Sequence, residues 1–224
     1  MGLHISKIHE RIGLNGNINF FASMLNEAQK IIPQNIPLKI LDFGCGYGQF
    51  LQIIDLVFQV DSAVGIDCDY ERICYANDKN KLNFVKYLHD DGLILSELNL
   101  WFDVVFSQEV LYTIKDLKSH AKTIFNALKN GGFYFATMGC NTDNPFWHRR
   151  REIIKSEEKY PVNDYSLEYV SEIFSNVGFE VCLKSLPLEY FCVYNKDVVK
   201  EFGSYLNLLK SCQYHKMLFC FYKV

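Results

Sequence analysis

No apolar stretch of this 224-residue chain runs unbroken for the roughly 18 to 20 residues that a membrane span requires; charges interrupt each one well before that length. The first residues also lack the apolar core of a secretory signal, so the expectation is a soluble, cytoplasmic protein without a membrane partner. The opening MGLHIS fits an N-acylation pattern, but one so short that it arises by chance and carries no weight. A surplus of positive charge is missing too. With 23 Lys and Arg against 26 Asp and Glu, the net charge of -3 leaves no electrostatic footprint for a polyanion, which makes nucleic acid a disfavoured partner. The eight cysteines form no CxxC pair and stand at no zinc spacing with histidine, so they are expected to be buried, reduced thiols and not a metal or redox site. No carboxylate cluster stands at the expected strand ends, and no metal is expected. Internal repeats and low-complexity tracts are absent.

What is present is an alternation of short strand-like runs with helical ones, the pattern of an α/β layer fold. Strands are expected at 38–43, 62–67, 82–87, 102–108, 131–138, 178–186 and 216–224, with helices at 19–31, 47–59, 70–79, 116–129 and 166–177. Ser166 should cap the last of these helices and Gly178 should stop it. Strands joined through helices need crossover connections, so the first five should run parallel. The length fits one domain over 1–224. The aromatic-rich segment 187–215 reads as a lid or substrate-shaping insertion.

The most informative stretch is LKILDFGCGYGQFL, residues 38–51, where Gly44, Gly46 and Gly48 follow a strand and precede a helical run. A ligand resting on a strand-to-helix turn is the natural reading. The spacing is not G-x-G-x-x-G, and no Gly-Lys-Ser/Thr follows, so neither a dinucleotide nor a P-loop phosphate is indicated. Asp42, two residues before the loop, would repel a pyrophosphate and attract an ammonium or sulfonium. Asp67, ending the second strand, stands where an acid can take both ribose hydroxyls. A ribose beside a cation, without phosphate, describes S-adenosylmethionine.

In this light ILDFGCGYGQFL, VGIDCD, HDDG, FDVVFSQEVLY and LKNGGFYFATM, in that order across about residues 36–185, resemble the class I S-adenosylmethionine-dependent methyltransferases. The resemblance implies a doubly wound, mostly parallel seven-stranded sheet with an antiparallel last strand and helices on both faces. It also implies a site. Asp42, Gly44, Cys45, Gly46 and Gly48 would hold the methionine moiety, Asp67 the ribose, and Cys68 would flank the adenine. Asp90 or Asp91, with Gly92 beside them, would take the adenine amino group; Asp91-Gly92 is equally suited to a turn. Gln108 and Glu109 would line the methionine end, and S-adenosylhomocysteine would be the product.

The acceptor site implied by the architecture draws on about residues 1–30, 139–165 and 187–215. Asn144 and Pro145 can open a helix that brings Trp147, His148 and Arg149 to Arg151 near the fifth strand. His148 is a candidate general base and Tyr112 the second candidate. One arginine could clamp an anionic acceptor, although the same three arginines make an ordinary solvated face with Glu152, Glu157 and Glu158. The expected activity is methyl transfer to a small polar acceptor, foremost a hydroxyl of a sugar or related metabolite. The alternatives are methylation of RNA or protein, and a non-catalytic subunit of the same fold. NPFW imitates half of a DNA amino-methyltransferase motif but follows the fifth strand and lacks the second proline, which rejects that reading.

Overall fold

The computed structural model describes residues 17–90, 95, 101–157, 160–186, 191–192 and 194–224. Its centre is a seven-stranded sheet in the order β3-β2-β1-β4-β5-β7-β6. β1 (Leu38–Phe43) pairs in parallel with β2 (Val60–Asp67) on one side and β4 (Phe102–Gln108) on the other. β2 continues in parallel to β3 (Val85–His89), and β4 to β5 (Leu128–Met138). β7 (Met217–Lys223) is antiparallel to both β5 and β6 (Phe179–Ser185), between which it is inserted. The implied doubly wound sheet, with its last strand antiparallel, is therefore the observed one.

Alternation along the strands divides the core into two layers. Ile40, Val104, Phe106 and Phe135 face α1 (Ile18–Ala28), a 3-10 helix at Leu51–Leu56, and α2 (Tyr70–Lys79), through Leu25, Leu51, Ile54 and Ile73. Leu41, Val105, Tyr134 and Phe221 point the other way, toward α3 (Leu117–Ala127), α4 (Trp147–Glu157) and α5 (Leu167–Val177). There Phe174 stacks on Phe221 with ring centroids 3.9 Å apart. α5 begins and ends as its sequence dictates: the Ser166 hydroxyl accepts from the Tyr169 N–H, and Gly178, at φ +116°, turns the chain out of the helix.

Three expectations shift. The helix expected at 47–59 shrinks to the 3-10 helix, because Gly48 is left-handed at φ +77° and Leu51, Ile53 and Ile54 are all pulled under the sheet, which a tighter coil permits. β3 starts later than expected, since Asn80 holds the preceding turn by accepting from the Leu82 N–H and donating to the Val85 carbonyl. β5 reaches back to Leu128, with a register shift opposite Phe102 and Val104, where Gly131 takes φ +79°. Within the insertion, the described residues hold α6 (Lys196–Phe202), α7 (Tyr205–Lys210) and a π turn at Ser211–His215. These pack a small core of Phe202, Leu208 and Cys212 against Phe20 and Phe146.

Candidate cofactor and acceptor site

The strand order reverses direction of growth between β1 and β4, and the carboxyl ends of those strands form the crevice in which open α/β sheets take their ligands. A cavity of about 300 Å³ lies there, lined by residues following β1, β2, β3 and β4 and by Tyr160 and Pro161.

The glycine loop is tied down by its own amides. The Gly44 and Cys45 N–H groups donate to the Ile66 carbonyl at 2.8 and 3.0 Å, Gly48 N–H donates to the Cys45 carbonyl at 2.9 Å, and Gly46 N–H donates to Asp67 Oδ2 at 2.8 Å. A phosphate-binding loop keeps such amides for its ligand. Here they are consumed within the protein, so the loop offers a close approach to backbone and no anion nest. Gly44 is obligatory on two counts: φ is +77°, and a Cβ would meet Val110 Cγ2 at 2.4 Å. Gly46, at φ +53°, has open space where its Cβ would be.

Two acids end the adjacent strands in different states. Asp67 is buried and satisfied, with Oδ1 accepting from the Asp69 N–H at 2.9 Å and Oδ2 from Gly46. Asp42 is buried, and among the described residues its Oδ2 has no hydrogen-bond partner. Burial, and then the neighbouring Asp67 carboxylate, push the Asp42 pKa up to about 8. Such an orphaned acceptor fits a ligand that brings a cation. The donor set therefore suits the ammonium-bearing methionine end of S-adenosylmethionine, with ribose hydroxyls at Asp67.

Of the expected residues, Gly44, Asp67, Cys68, Asp90, Gln108 and Glu109 line the cavity. Asp42, Cys45, Gly46 and Gly48 do not, Asp42 being buried behind the lining and Gly48 lying against Tyr87, whose hydroxyl donates to its carbonyl at 2.7 Å. Asp90 is set there by its own N–H donating to the Asp67 carbonyl at 2.9 Å. Gln108 Oε1 is a second buried acceptor lacking a partner among the described residues. Cys45 is buried against the loop, its thiol pushed far up by burial and by Asp42, which suits a small packing residue and not a nucleophile. Asp91 and Gly92 lie outside the described residues.

Tyr112 lines the cavity, its ring edge-on to Trp147 at 5.7 Å. His148 is exposed and is not among the lining residues. The three arginines are engaged within the protein: Arg149 donates to the Lys200 carbonyl, Arg150 to Glu201 and the Cys140 sulfur while lying near the cavity-lining Glu109 and Tyr112, and Arg151 to Glu152 and Asp164. α4 begins close to the expected point, with Asn144 Oδ1 accepting from the Phe146 N–H and Nδ2 donating to the Gly139 carbonyl. The Trp147 indole, however, is spent on Asp164 at 2.9 Å.

Two cavity residues, Tyr160 and Arg72, and the contacts of a third, Glu109, escape local reading. Tyr160 comes from the segment after α4, and its hydroxyl donates to Asp69 Oδ2 at 3.0 Å, 91 positions away. Arg72 lies over both Tyr160 and Tyr47 and pairs with Asp69. Glu109 is the sole non-glycine residue with positive φ among the described residues, at +56°, and its carboxylate meets Lys216 from the chain's far end at 3.2 Å. No signal in the sequence near these residues announces the contacts.

Sheet order, glycine loop and paired strand-end acids together define a Rossmann-like methyltransferase with a cavity suited to S-adenosylmethionine. The chain belongs to the methyltransferase-domain family, which matches residues 14–184, and it is a class I methyltransferase with S-adenosylmethionine as cofactor. It is 27% identical over 199 residues to juvenile hormone acid O-methyltransferase of Bombyx mori, covering 80% of this chain and 70% of that one. Over 131 residues it is 24% identical to trans-aconitate 2-methyltransferase of Rhodopseudomonas palustris, covering 56% of this chain and 48% of the relative, so that it spans only about half of that protein. Among solved structures, the complex of the Haloferax volcanii Trm112 methyltransferase activator with a putative methyltransferase aligns with a TM-score of 0.76 at 17% identity. That alignment covers 93% of this chain and 92% of the other.

Proposed function

We propose that the enzyme transfers a methyl group to an oxygen of a small polar acceptor, foremost a hydroxyl of a sugar or related metabolite. When bound, S-adenosylmethionine supplies a methyl group already activated by its sulfonium. Asp42 and the glycine loop hold the methionine end, Asp67 orients the ribose, and Cys68 and Asp90 flank the adenine. The chain's remaining task is to hold the acceptor in line, exclude water and, for a hydroxyl, accept a proton. The segment 139–165 and the insertion supply the walls around the acceptor. All eight cysteines are free thiols, in keeping with a reducing, cytoplasmic setting, but only Cys45, Cys140 and Cys212 are buried as expected; Cys68, Cys74 and Cys182 are exposed.

The observation that carries the choice of a hydroxyl is the charge of the cavity. Among its described lining residues Asp67, Asp90 and Glu109 are acidic and Arg72, paired with Asp69, is the one cation. Asp67 and Asp90 are assigned to the cofactor, so the reading rests on Glu109, whose Oε1 is paired with Lys216 while Oε2 has no hydrogen-bond partner among the described residues. A carboxylate acceptor is the second reading, supported by the names of the Bombyx and Rhodopseudomonas relatives. Radiolabelled methyl transfer to a library of hydroxylated and carboxylated metabolites, with and without RNA, separates these readings. An ether product survives mild alkali, whereas a methyl ester releases methanol; label only in ester, or only in RNA, removes the hydroxyl reading.

A further inference from the structure

Glu109, which the resemblance placed with Gln108 at the methionine end, has three unusual features that this role does not use. Its backbone is left-handed at φ +56°, a conformation that a residue with a long side chain rarely adopts and that persists where the surroundings over-determine it. Its carboxylate is anchored from one side: Oε1 accepts from the Gly139 N–H at 2.7 Å and lies 3.2 Å from Lys216 Nζ. Lys216 is itself buried, with its ammonium 3.6 Å above the Phe20 ring. The other oxygen, Oε2, is buried and has no hydrogen-bond partner among the described residues, although the side chain lines the cavity. The Cys140 thiol, a weak donor, is within hydrogen-bonding reach of this carboxylate, and its pKa is raised first by burial and then by Glu109.

Unpaired buried acceptors are costly, and a protein keeps one where a ligand supplies the donor. Asp42, Gln108 and Thr137 hold other such oxygens among the described residues of this region, near the carboxyl ends of β1, β4 and β5. Glu109 lies one residue beyond Gln108, past the end of β4 and bonded to Gly139 past the end of β5, on the side where the acceptor walls begin. Lys216 and the Gly139 N–H anchor the carboxylate through Oε1, and because the side chain lines the cavity a ligand there can offer Oε2 a donor.

We propose that Glu109 is the acceptor-recognition residue, receiving the hydrogen-bond-donating group of the acceptor, a hydroxyl or an ammonium, and disfavouring an acceptor carboxylate. The proposal rests on the methyl-transfer reading and narrows its substrate class. It is distinct from the roles of His148 and Tyr112, because the group in question is held by an ion pair reaching from β4 to the start of β7.

The test needs no identified acceptor. Sinefungin is an analogue of the cofactor in which a carbon bearing an amine replaces the methylated sulfur, so that an ammonium stands where the methyl group would; S-adenosylhomocysteine carries nothing there. Titration calorimetry of both compounds against the wild type and Glu109→Gln gives the expected result if sinefungin weakens by roughly tenfold or more while S-adenosylhomocysteine stays within about twofold. Equal changes in both, or no change in either, overturn the proposal. If neither compound binds the wild type, the cofactor reading itself fails, a separate outcome. Should Glu109→Gln unfold because Lys216 loses its counter-charge, the double variant Glu109→Gln/Lys216→Met removes both charges and is read by the same ratio.

Discussion

Asp42 and Asp67 end neighbouring parallel strands, Asp67 satisfied by backbone amides and Asp42 Oδ2 without a hydrogen-bond partner among the described residues; burial first, and then the negative field of Asp67, raise the Asp42 pKa to about 8. A group with a folded pKa above its unfolded value of 3.8 stabilises the protein fully below 3.8, and that contribution is lost as pH rises through about 8. The protein therefore gives up stability across that window at Asp42, which the proposed cofactor reading would explain as the cost of keeping an acid for a cationic ligand.

Cofactor affinity should accordingly rise with pH up to about 8, because a cation binds the ionised form of Asp42. The slope can approach tenfold per pH unit, the limit for one proton. Asp42→Asn should flatten this dependence, weaken binding and raise the stability of the apo protein near pH 8 by an amount on the order of a few kcal/mol. Calorimetry across pH 6 to 9 and denaturant melts check it. A steep profile that survives in the variant would exclude Asp42 as its origin.

The loop glycines should separate folding from binding. Gly44→Ala places a methyl within 2.4 Å of Val110 at a left-handed φ, so it should lower stability by about 1 to 3 kcal/mol or displace the loop. Gly46→Ala meets open space and carries only the φ penalty, about 1 kcal/mol. Its methyl would stand on the open side of the loop, so binding of S-adenosylhomocysteine should fall much further than the melting temperature. Unchanged binding would mean that the ligand does not approach Gly46.

His120 should make the protein acid-sensitive. It is buried between Phe43 and Tyr134, with Nε2 3.3 Å from the Tyr134 hydroxyl, which shares a 2.7 Å hydrogen bond with Ser107. Burial lowers its pKa from 6.5 to about 3. Between those values the unfolded chain binds a proton that the folded one does not, so stability falls as pH drops through the window, by at most about 1.4 kcal/mol per unit. His120→Phe should lose the Tyr134 contact at neutral pH and show a shallower decline below pH 6. Denaturant midpoints from pH 4 to 7 measure both, and parallel curves would assign the acid sensitivity to other groups.

The sheet was legible because buried parallel strands write themselves as short apolar runs between helices, and β1 and β4 fall at the expected residues. The β1 end and its glycine turn were legible for a related reason, because strand and loop are contiguous, and Asp67 was legible as the acid that ends the next strand, β2. The acceptor side was not. Tyr160 reaches Asp69 across 91 positions, and Lys216 reaches Glu109 from the last strand; Arg149 to Arg151 suggested a clamp until α4 aimed them at Lys200, Glu201 and Asp164. Even the shrunken helix after the loop is a tertiary effect, set by how Leu51, Ile53 and Ile54 are drawn under the sheet.

The two candidate bases can now be ranked by position. His148 is exposed on α4, away from the cavity lining, so a proton leaving an acceptor inside the cavity has no direct path to it. Tyr112 lines the cavity, fixed through its carbonyl, which accepts from the N–H and the side-chain amide of Asn163 at 2.9 and 3.0 Å. With an acceptor identified from the metabolite screen, single-turnover methyl transfer by His148→Ala should keep its rate within about twofold and its pH profile unchanged. Tyr112→Phe should cost roughly threefold to tenfold, as for one lost neutral hydrogen bond, and do so chiefly through acceptor affinity. The full loss of general-base help, about 100- to 10,000-fold, is not expected from either. A loss of that size in His148→Ala would show that α4 swings over the cavity during turnover, and would move the search for the base to that helix.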